Sequence, residues 1–542
     1  MAEVWVLMNG IPWWHLPALA AIALLTRILP RLVLPDARDK DAYYHMLAAR
    51  TIRKNRYRMP RTLDELILPG IYDYPPLFHY LMALFPEARH AAVERWAGAI
   101  LDAALGLTVY LFSLYCLAGL GWEKEPATAA LWISVLLLFS PSLTSVGTGP
   151  RAYQGTPRTL GELLFLLSMA CSTVGALEGS VAFLIAAGVF GGLLMLTSKF
   201  GVQVFLLIHA VHLLILGSMV WLAVPVMSVI WALIFSWGHY GRVASGHWAH
   251  CRYYRRAISR RFYMVTGKNR WADVKAVIPN LIRAPKKAAR TLLMDNTYFL
   301  LIIKNPQLFY VIWLYMSARP PGNPVSHLLA TWVAGGLLAF CLTSLKPFLF
   351  LGEADRYLEY VLAPQFILIM GSGQAFPFAY FLLAYELVLY GVYVGIFVSH
   401  YSQAAGGQPE FREMVAFLKN EGRIHRILPL YLADALQLAY DAGKGVAHFP
   451  GNFRNAFFPF REFLDFYPIV YPFPNEDLEG LMARYEFDTV CFSEDDLVKA
   501  EAHGIVYDFR KFKILFMNTK YRVIAPTDAP ADMQRAVNRY QS

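Results

Sequence analysis

The stretch DARDKDAYYHMLAARTIRKN, Asp36–Asn55, follows directly on the first hydrophobic block of the chain, about residues 13–34. Three aspartates, Asp36, Asp39 and Asp41, fall within six residues, and two tyrosines, His45 and a basic run follow. The block before them is long enough to cross a bilayer as a helix, which takes roughly 20 residues. It carries Arg27 and Arg31 and shows no small-residue cleavage site, so it reads as a retained helix rather than a removed signal peptide. The junction places paired carboxylates where the first helix leaves the membrane.

Working outward, the rest of the chain supports a membrane reading. Of 542 residues 57% are hydrophobic and 16% charged, a balance rare in soluble domains. Further apolar blocks lie at about 92–118, 127–147, 159–176, 180–197, 201–217, 219–238, 297–317, 325–345, 357–373 and 377–399. The expected fold is a polytopic α-helical membrane protein, with about eleven transmembrane helices over residues 1–400. Block 297–317 is interrupted by Lys-Asn-Pro at Lys304–Pro306 and reads as interfacial. The tail alternates helix-like pieces (FREMVAFLKN, EDDLVKAEAHG) with strand-like ones (DTVCFS, KILFMN, YRVIAP), predicting a small soluble α/β domain over 401–542. The five cysteines, Cys116, Cys171, Cys251, Cys341 and Cys491, form no CxxC pair and read as small hydrophobes.

Charge is concentrated. His239–Arg290 holds thirteen Lys and Arg against Asp273 alone, a net +12 in a chain of net +10. The basic character belongs to one loop, 239–296, which argues against a nucleic-acid partner for the whole protein. Counting eleven spans from an internal N-terminus puts the first loop (35–91), the basic loop and the tail outside. The positive-inside rule instead places a loop this basic in the cytoplasm, as an anchor on an anionic leaflet. The size of the violation tips the expectation towards the cytoplasmic anchor, with one early span re-entrant. The first loop and the tail are external in both versions.

Asp41 and His45 are four apart and share a face if helical, whereas Asp39 and Asp41 converge only if the backbone bends between them. A carboxylate at the membrane rim can take a proton from an attacking hydroxyl. A second one can raise its pKa or join it in binding a divalent cation such as Mg or Mn. The bland alternative is an acidic turn capping a helix. In YDYPPLFHYLMALFP (Tyr72–Pro86) the prolines mark a helix start, so Asp73 reads as its cap or as a substrate contact beside Tyr74. GTGPRAYQGTPRTLGELLF (Gly147–Phe165) carries Arg151, Arg158 and Glu162, cations suited to phosphate or to lipid head groups. Lys199 lies alone between two apolar blocks, and Glu353, Asp355, Arg356, Tyr357 and Glu359 crowd one helix start. Asp102, inside the second block, is expected to pair with a neighbouring helix.

These motifs carry a resemblance. Asp41 followed by Ala-Tyr-Tyr-His after the first helix resembles the GT-C superfamily of polyprenyl-phosphate-sugar-dependent glycosyltransferases. DYPPL at Asp73–Leu77 looks like the same string in its dolichyl-phosphate-glucose-dependent glucosyltransferases. The Lys199 bend and DRYLEYVLAP (Asp355–Pro364) look like the Lys-Gly bend and RYLLPxxP of the lipid-linked aminoarabinose and protein mannosyl transferases. Here Phe200 stands before Gly201, and the oligosaccharyltransferase WWD signature is absent from the tail, which argues against transfer of a whole oligosaccharide.

The resemblance implies an inverting hexosyl- or pentosyltransferase in the cell membrane, with its active site on the extracytoplasmic face. It would move one sugar from a polyprenyl-phosphate donor to a hydroxyl of a glycan, lipid or protein acceptor in envelope glycan biosynthesis. Asp41 is the implied base, with Asp39 the alternative, and Lys199, Arg151, Arg158 and Arg356 are the candidates for the phosphate. Asp73, Tyr74, His45, Glu353 and Tyr357 complete the implied substrate site, with no set of metal ligands identified. The rivals are a polyprenyl-lipid or glycan flippase and a non-catalytic scaffold. A transporter usually shows repeated halves and mid-membrane charges, whereas here the charges cluster at one rim.

Overall fold

The computed structural model describes residues 11–68, 72–122, 125–146, 151–258, 270–317, 323–372, 376–402, 409–430, 435–448 and 460–527. Helix α1 (His15–Val33) is followed by α2 (Lys40–Lys54) and α3 (Leu77–Ala83) of the first loop. The bundle continues with α4 (His90–Gly119), α5 (Pro126–Phe139), α6 (Pro157–Glu178), α7 (Val181–Met195), α8 (Lys199–Leu216) and α9 (Val220–Phe235). The basic loop forms α10 (Tyr240–Tyr253) and α11 (Arg270–Arg283). The bundle closes with α12 (Thr297–Lys304), α13 (Pro306–Ser317), α14 (Pro324–Ser344), α15 (Asp355–Glu359), α16 (Leu362–Gly371) and α17 (Phe376–Ser402).

All eleven expected apolar blocks are helical. Among the described residues seven helices are long and apolar enough to span a bilayer; α7 and α16 are shorter, and two further blocks are bent. At Trp237 and Gly238 the backbone turns through positive φ, +50° and +81°, and α10 leaves α9 at 116°. The second conformation suits glycine, which has no Cβ to clash. The Lys-Asn-Pro block breaks by 73° between α12 and α13. Lys304, Asn305 and Gln307 are buried there, and Ser142 Oγ donates to Asn305 Oδ1 at 3.2 Å. The interfacial expectation for this block is therefore corrected: the break lies inside the bundle, where Lys304 pairs with Asp355 at 2.9 Å and Asn305 accepts from Ser142.

Charges inside the bundle are neutralised by one another. Arg27 on α1 reaches Asp102 on α4 at 2.6 Å, and Arg151 also bonds Asp102 at 2.6 Å. Arg151 continues to Glu162 on α6, and Arg158 bridges Glu162 and Glu359 on α15. Three guanidiniums and three carboxylates alternate across four helices. Arg31 separately forks onto Glu94 through two bonds of 2.9 Å. Such charges cost several kcal/mol each to bury and persist only when paired. Asp102 thus ties helices together, as expected from its place in the chain.

The tail builds a five-stranded sheet in the order β2-β1-β3-β5-β4, from β1 (Arg426–Pro429), β2 (Gly445–Val446), β3 (Thr489–Ser493), β4 (Phe512–Met517) and β5 (Tyr521–Pro526). β1 is parallel to β2 and β3, and β5 is antiparallel to β3 and β4. The first loop extends the β2 edge: Ile67 N–H donates to Val446 O, and Val446 N–H to Glu65 O, both at 2.9 Å. Arg50 of α2 fastens the same contact, donating to Glu65 at 3.0 Å and to Tyr440 O at 3.1 Å. Tyr253 of α10 enters the tail's apolar core, 5.9 Å from the Phe463 ring.

First loop, basic loop and tail therefore share one end of the bundle. The expectation of a basic loop on the opposite side from Asp41 is corrected: α10 packs on Asp73 through Gly246 and on the tail through Tyr253. Each helix from α4 to α9 reverses the chain once, and six reversals return it to the side of the first loop.

Candidate active site

Asp39 is the N-cap of α2, its backbone extended at ψ 164°, and its carboxylate accepts from Lys40 N–H at 2.8 Å. The bend needed between Asp39 and Asp41 is this helix start. Capping thus describes Asp39, while Asp41 stands in the first turn with its carboxylate open to solvent. Asp41 is exposed yet crowded, as a residue in a recess is. That crowding, and then the Asp39 charge, push its carboxyl up to about 6, against the pull of Arg356 and Lys40; Glu353 pushes the same way as Asp39.

One turn deeper, His45 is buried. Its Nδ1 lies 2.8 Å from Nε2 of His79, whose Nδ1 bonds the Tyr72 hydroxyl. Burial drops the His45 pKa to about 3, so the ring is neutral at any physiological pH. The shared face is real, but the helix enters the protein between Asp41 and His45. His45 sits on the inner wall beside Tyr74, with ring centroids 5.8 Å apart.

Asp73 does not cap α3, whose N-cap is Pro76 with no side-chain cap bond. Its carboxylate is buried against α10 at Gly246, where any Cβ would collide with it. Lys199 starts α8 nearby and lies over the Tyr74 ring, 5.3 Å from its centroid. Leu77 N–H donates to Leu196 O at 2.8 Å, which ties the DYPPL turn to the bend that delivers Lys199.

Arg356 faces Asp41 from α15. It pairs with Glu353 at 2.6 Å and stacks on Phe200, 4.9 Å from the ring centroid. Both ends of α15 are pinned, Asp355 to Lys304 at 2.9 Å and Glu359 to Arg158. Tyr357 points inward, its hydroxyl within hydrogen-bonding reach of Leu351 O at 2.9 Å and of Gln203.

Two expected phosphate cations end elsewhere. Arg151 is buried, with its guanidinium on Asp102 and Glu162. Arg158 is held by Glu359 and Glu162. Their pairing follows from burial, since a cation inside the bundle needs a carboxylate more than a phosphate at the surface needs it. The span count allows the basic loop over this rim, but it does not single out the residues that cover the site. Gln203 contacts His247 at 2.8 Å, Arg255 stacks 5.9 Å from the Phe350 ring, and Tyr254 senses Glu353, Arg356 and Asp41. Burial and then those carboxylates push the Tyr254 hydroxyl up to about 12, so it remains a proton donor. The only sequence signal was aromatic and basic residues interleaved in GHWAHCRYYRR.

Among the described residues no three His, Cys, Asp or Glu side chains converge as metal ligands. The Asp39–Asp41 pair offers two carboxylates, one oxygen of Asp39 already accepting from a backbone amide; a Mg or Mn ion held there would draw its remaining ligands from water and substrate phosphate.

No protein-family model and no curated protein matches the sequence. Solved structures do match in fold. The oligosaccharyltransferase AglB of Archaeoglobus fulgidus, in complex with an inhibitory peptide and a dolichol-phosphate, superposes with TM-score 0.57 at 13% identity over 91% of this chain and 71% of its own. ArnT of Cupriavidus metallidurans, bound to undecaprenyl phosphate, gives TM-score 0.55 at 12% identity over 94% of this chain and 98% of its own. Both neighbours are GT-C enzymes, and this chain has their fold.

Proposed function

We propose that the chain is an inverting glycosyltransferase that moves a monosaccharide from a polyprenyl-phosphate donor to a hydroxyl on an extracytoplasmic glycan, lipid or protein. The observation that carries this reading is Asp41, an accessible carboxylate of raised pKa in a recess at the bundle end, facing Arg356. Asp41 takes the proton of the acceptor hydroxyl. The oxygen attacks the anomeric carbon from the side opposite the phosphate, and the bond to the phosphate oxygen breaks with its electron pair. A single displacement of this kind inverts the anomeric centre. The phosphate is already a good leaving group, so it needs cations rather than a strong acid. Arg356 and Lys199 supply them, held over Phe200 and Tyr74.

Asp41→Asn tests the reading. It should lower turnover of a polyprenyl-phosphate sugar by roughly 10²–10⁴, the usual worth of a general base, with folding and insertion intact. Near-wild-type turnover in a folded variant removes Asp41 from the chemistry. A flippase has no such requirement, so lost turnover with intact lipid translocation also separates the two rivals. The external placement has its own probe. Cys251 lies on the cover beside Lys199, and an impermeant thiol reagent on intact cells should label it in a variant lacking the other cysteines. Protection until the membrane is opened would put the whole site in the cytoplasm, where the +12 loop is ordinarily found.

A further inference from the structure

Helix α11 is inside out for a loop helix in water. Asp273, Ala276, Val277 and Asn280 turn towards the protein, at spacings that form one helical face. The opposite face carries Trp271, Ile278, Leu281 and Ile282, which are 64%, 75%, 52% and 87% exposed. An aqueous surface helix would show the reverse, with its aspartate and asparagine in solvent and its isoleucines inside. The exposed cations Lys275, Arg283, Lys286 and Lys287 border this stripe or follow it.

The location is consistent. Trp271 packs 5.0 Å from the Tyr298 ring, at the start of the broken α12–α13 span. Leu293 O accepts from the Tyr393 hydroxyl of α17 at 3.2 Å, so the segment after α11 is fastened to a bundle helix. α11 thus begins where a span meets the aqueous phase. Two further tryptophans of the same loop are exposed, Trp237 at the corner between α9 and α10 and Trp248 on α10. Tryptophan favours the head-group level of a bilayer, where its ring is apolar and its N–H stays wet.

The geometry points to α11 as an interfacial helix. We infer that its Trp271–Ile282 stripe lies in the bilayer surface on the site's side, and that Lys275, Arg283, Lys286 and Lys287 hold anionic lipid head groups. Apolar burial and charge attraction act together on a helix of this kind. The inference does not depend on the proposed chemistry. It gives the +12 loop a partner on the side where parity placed it, and it puts an anion-rich lipid surface beside the recess.

A spin label at Ile278→Cys, in the full chain with its other cysteines replaced and set in nanodiscs, tests this. Leu214→Cys on α8 is the lipid reference and Val498→Cys on the tail the aqueous one, since both are well exposed. In discs of phosphatidylcholine with phosphatidylglycerol, the Ile278 label should collide with oxygen in preference to a water-soluble nickel complex, as the lipid reference does. Discs of phosphatidylcholine alone, or Gln at Lys275, Arg283, Lys286 and Lys287 together, should shift it towards the aqueous value. Aqueous behaviour in the anionic discs overturns the inference and leaves the stripe to a protein partner or a second copy. Equal immersion in both lipid compositions overturns the head-group part. If replacing the buried Cys116 disturbs folding, amide exchange of 270–290 in the cysteine-intact chain reads the same question. Exchange should be slower in anionic than in neutral discs, and equal rates count against the proposal.

Discussion

Cations in this molecule are held in two different ways. Inside the bundle, Arg27, Arg31, Arg151 and Arg158 end on carboxylates that are themselves buried. Around the recess, Arg356, Lys199 and Arg255 lie over the rings of Phe200, Tyr74 and Phe350. A carboxylate cancels a cation; a ring face attracts it by about 0.5–2 kcal/mol and leaves its charge in place. The first arrangement holds helices together; in the second Arg356 lies on a ring face and pairs with a carboxylate that is partly in water, so under the proposed function it could exchange that partner for a phosphate. Arg356 shows the difference within one helix. Its partner Glu353 is half exposed, whereas Asp355 and Glu359 on either side are buried in ion pairs.

The largest effects should fall on opposite measurements. Asp41→Asn removes rate and spares stability, whereas Arg151→Met leaves Asp102 and Glu162 buried without their shared cation. Breaking such a pair costs about 3–5 kcal/mol, so thermal unfolding in detergent should drop sharply while the surviving folded fraction keeps its turnover. An Arg151→Met protein that unfolds normally but cannot use donor would erase the distinction between the two regions. Next in size is Arg356→Gln. Losing a charged hydrogen bond to phosphate, worth about 1.5–3 kcal/mol, should lower kcat/KM for the donor by roughly 10–100-fold with little change in unfolding temperature.

Smaller changes sharpen the electrostatics. A base must be deprotonated to act, so kcat/KM should fall as pH drops through about 6. Asp39→Asn removes a like charge and should move that acid limb to lower pH. Arg356→Gln removes an opposite charge and should move it higher. Movement of both in the same direction would mean that the limb belongs to another group. Glu353→Gln should matter least, within about 1 kcal/mol on stability, because its pair with Arg356 is partly in water. The acid limb should shift slightly downward, since Glu353 also raises the Asp41 pKa.

Much of this arrangement could be read from the chain. All eleven apolar blocks are helical, and the strand-like pieces DTVCFS, KILFMN and YRVIAP became β3, β4 and β5, which lie together in one sheet in the order β3-β5-β4. Block length and strand alternation are local properties, and a bilayer or a sheet face enforces them directly. β1 and β2 were not expected. They are short, and β2 is completed by hydrogen bonds from the first loop nearly 380 residues earlier in the chain.

The sequence alone determined that carboxylates would stand at the exit of α1 and that a lysine and an arginine would follow at later bends. It could not tell which charges would meet. Arg151, Arg158 and Arg356 are the same side chain, and each stands near acidic residues in the sequence. Only packing decided that Arg151 and Arg158 would be enclosed with Glu162 and Glu359, while Arg356 would face a recess. The same holds for α10, whose approach to Asp73 depends on Gly246 lacking a Cβ. Local pattern fixes where a chain is apolar, because transfer from water depends on each segment's own surface. Whether a charge is spent or available depends on what lies within a few ångströms of it, and that is a property of distant segments brought together.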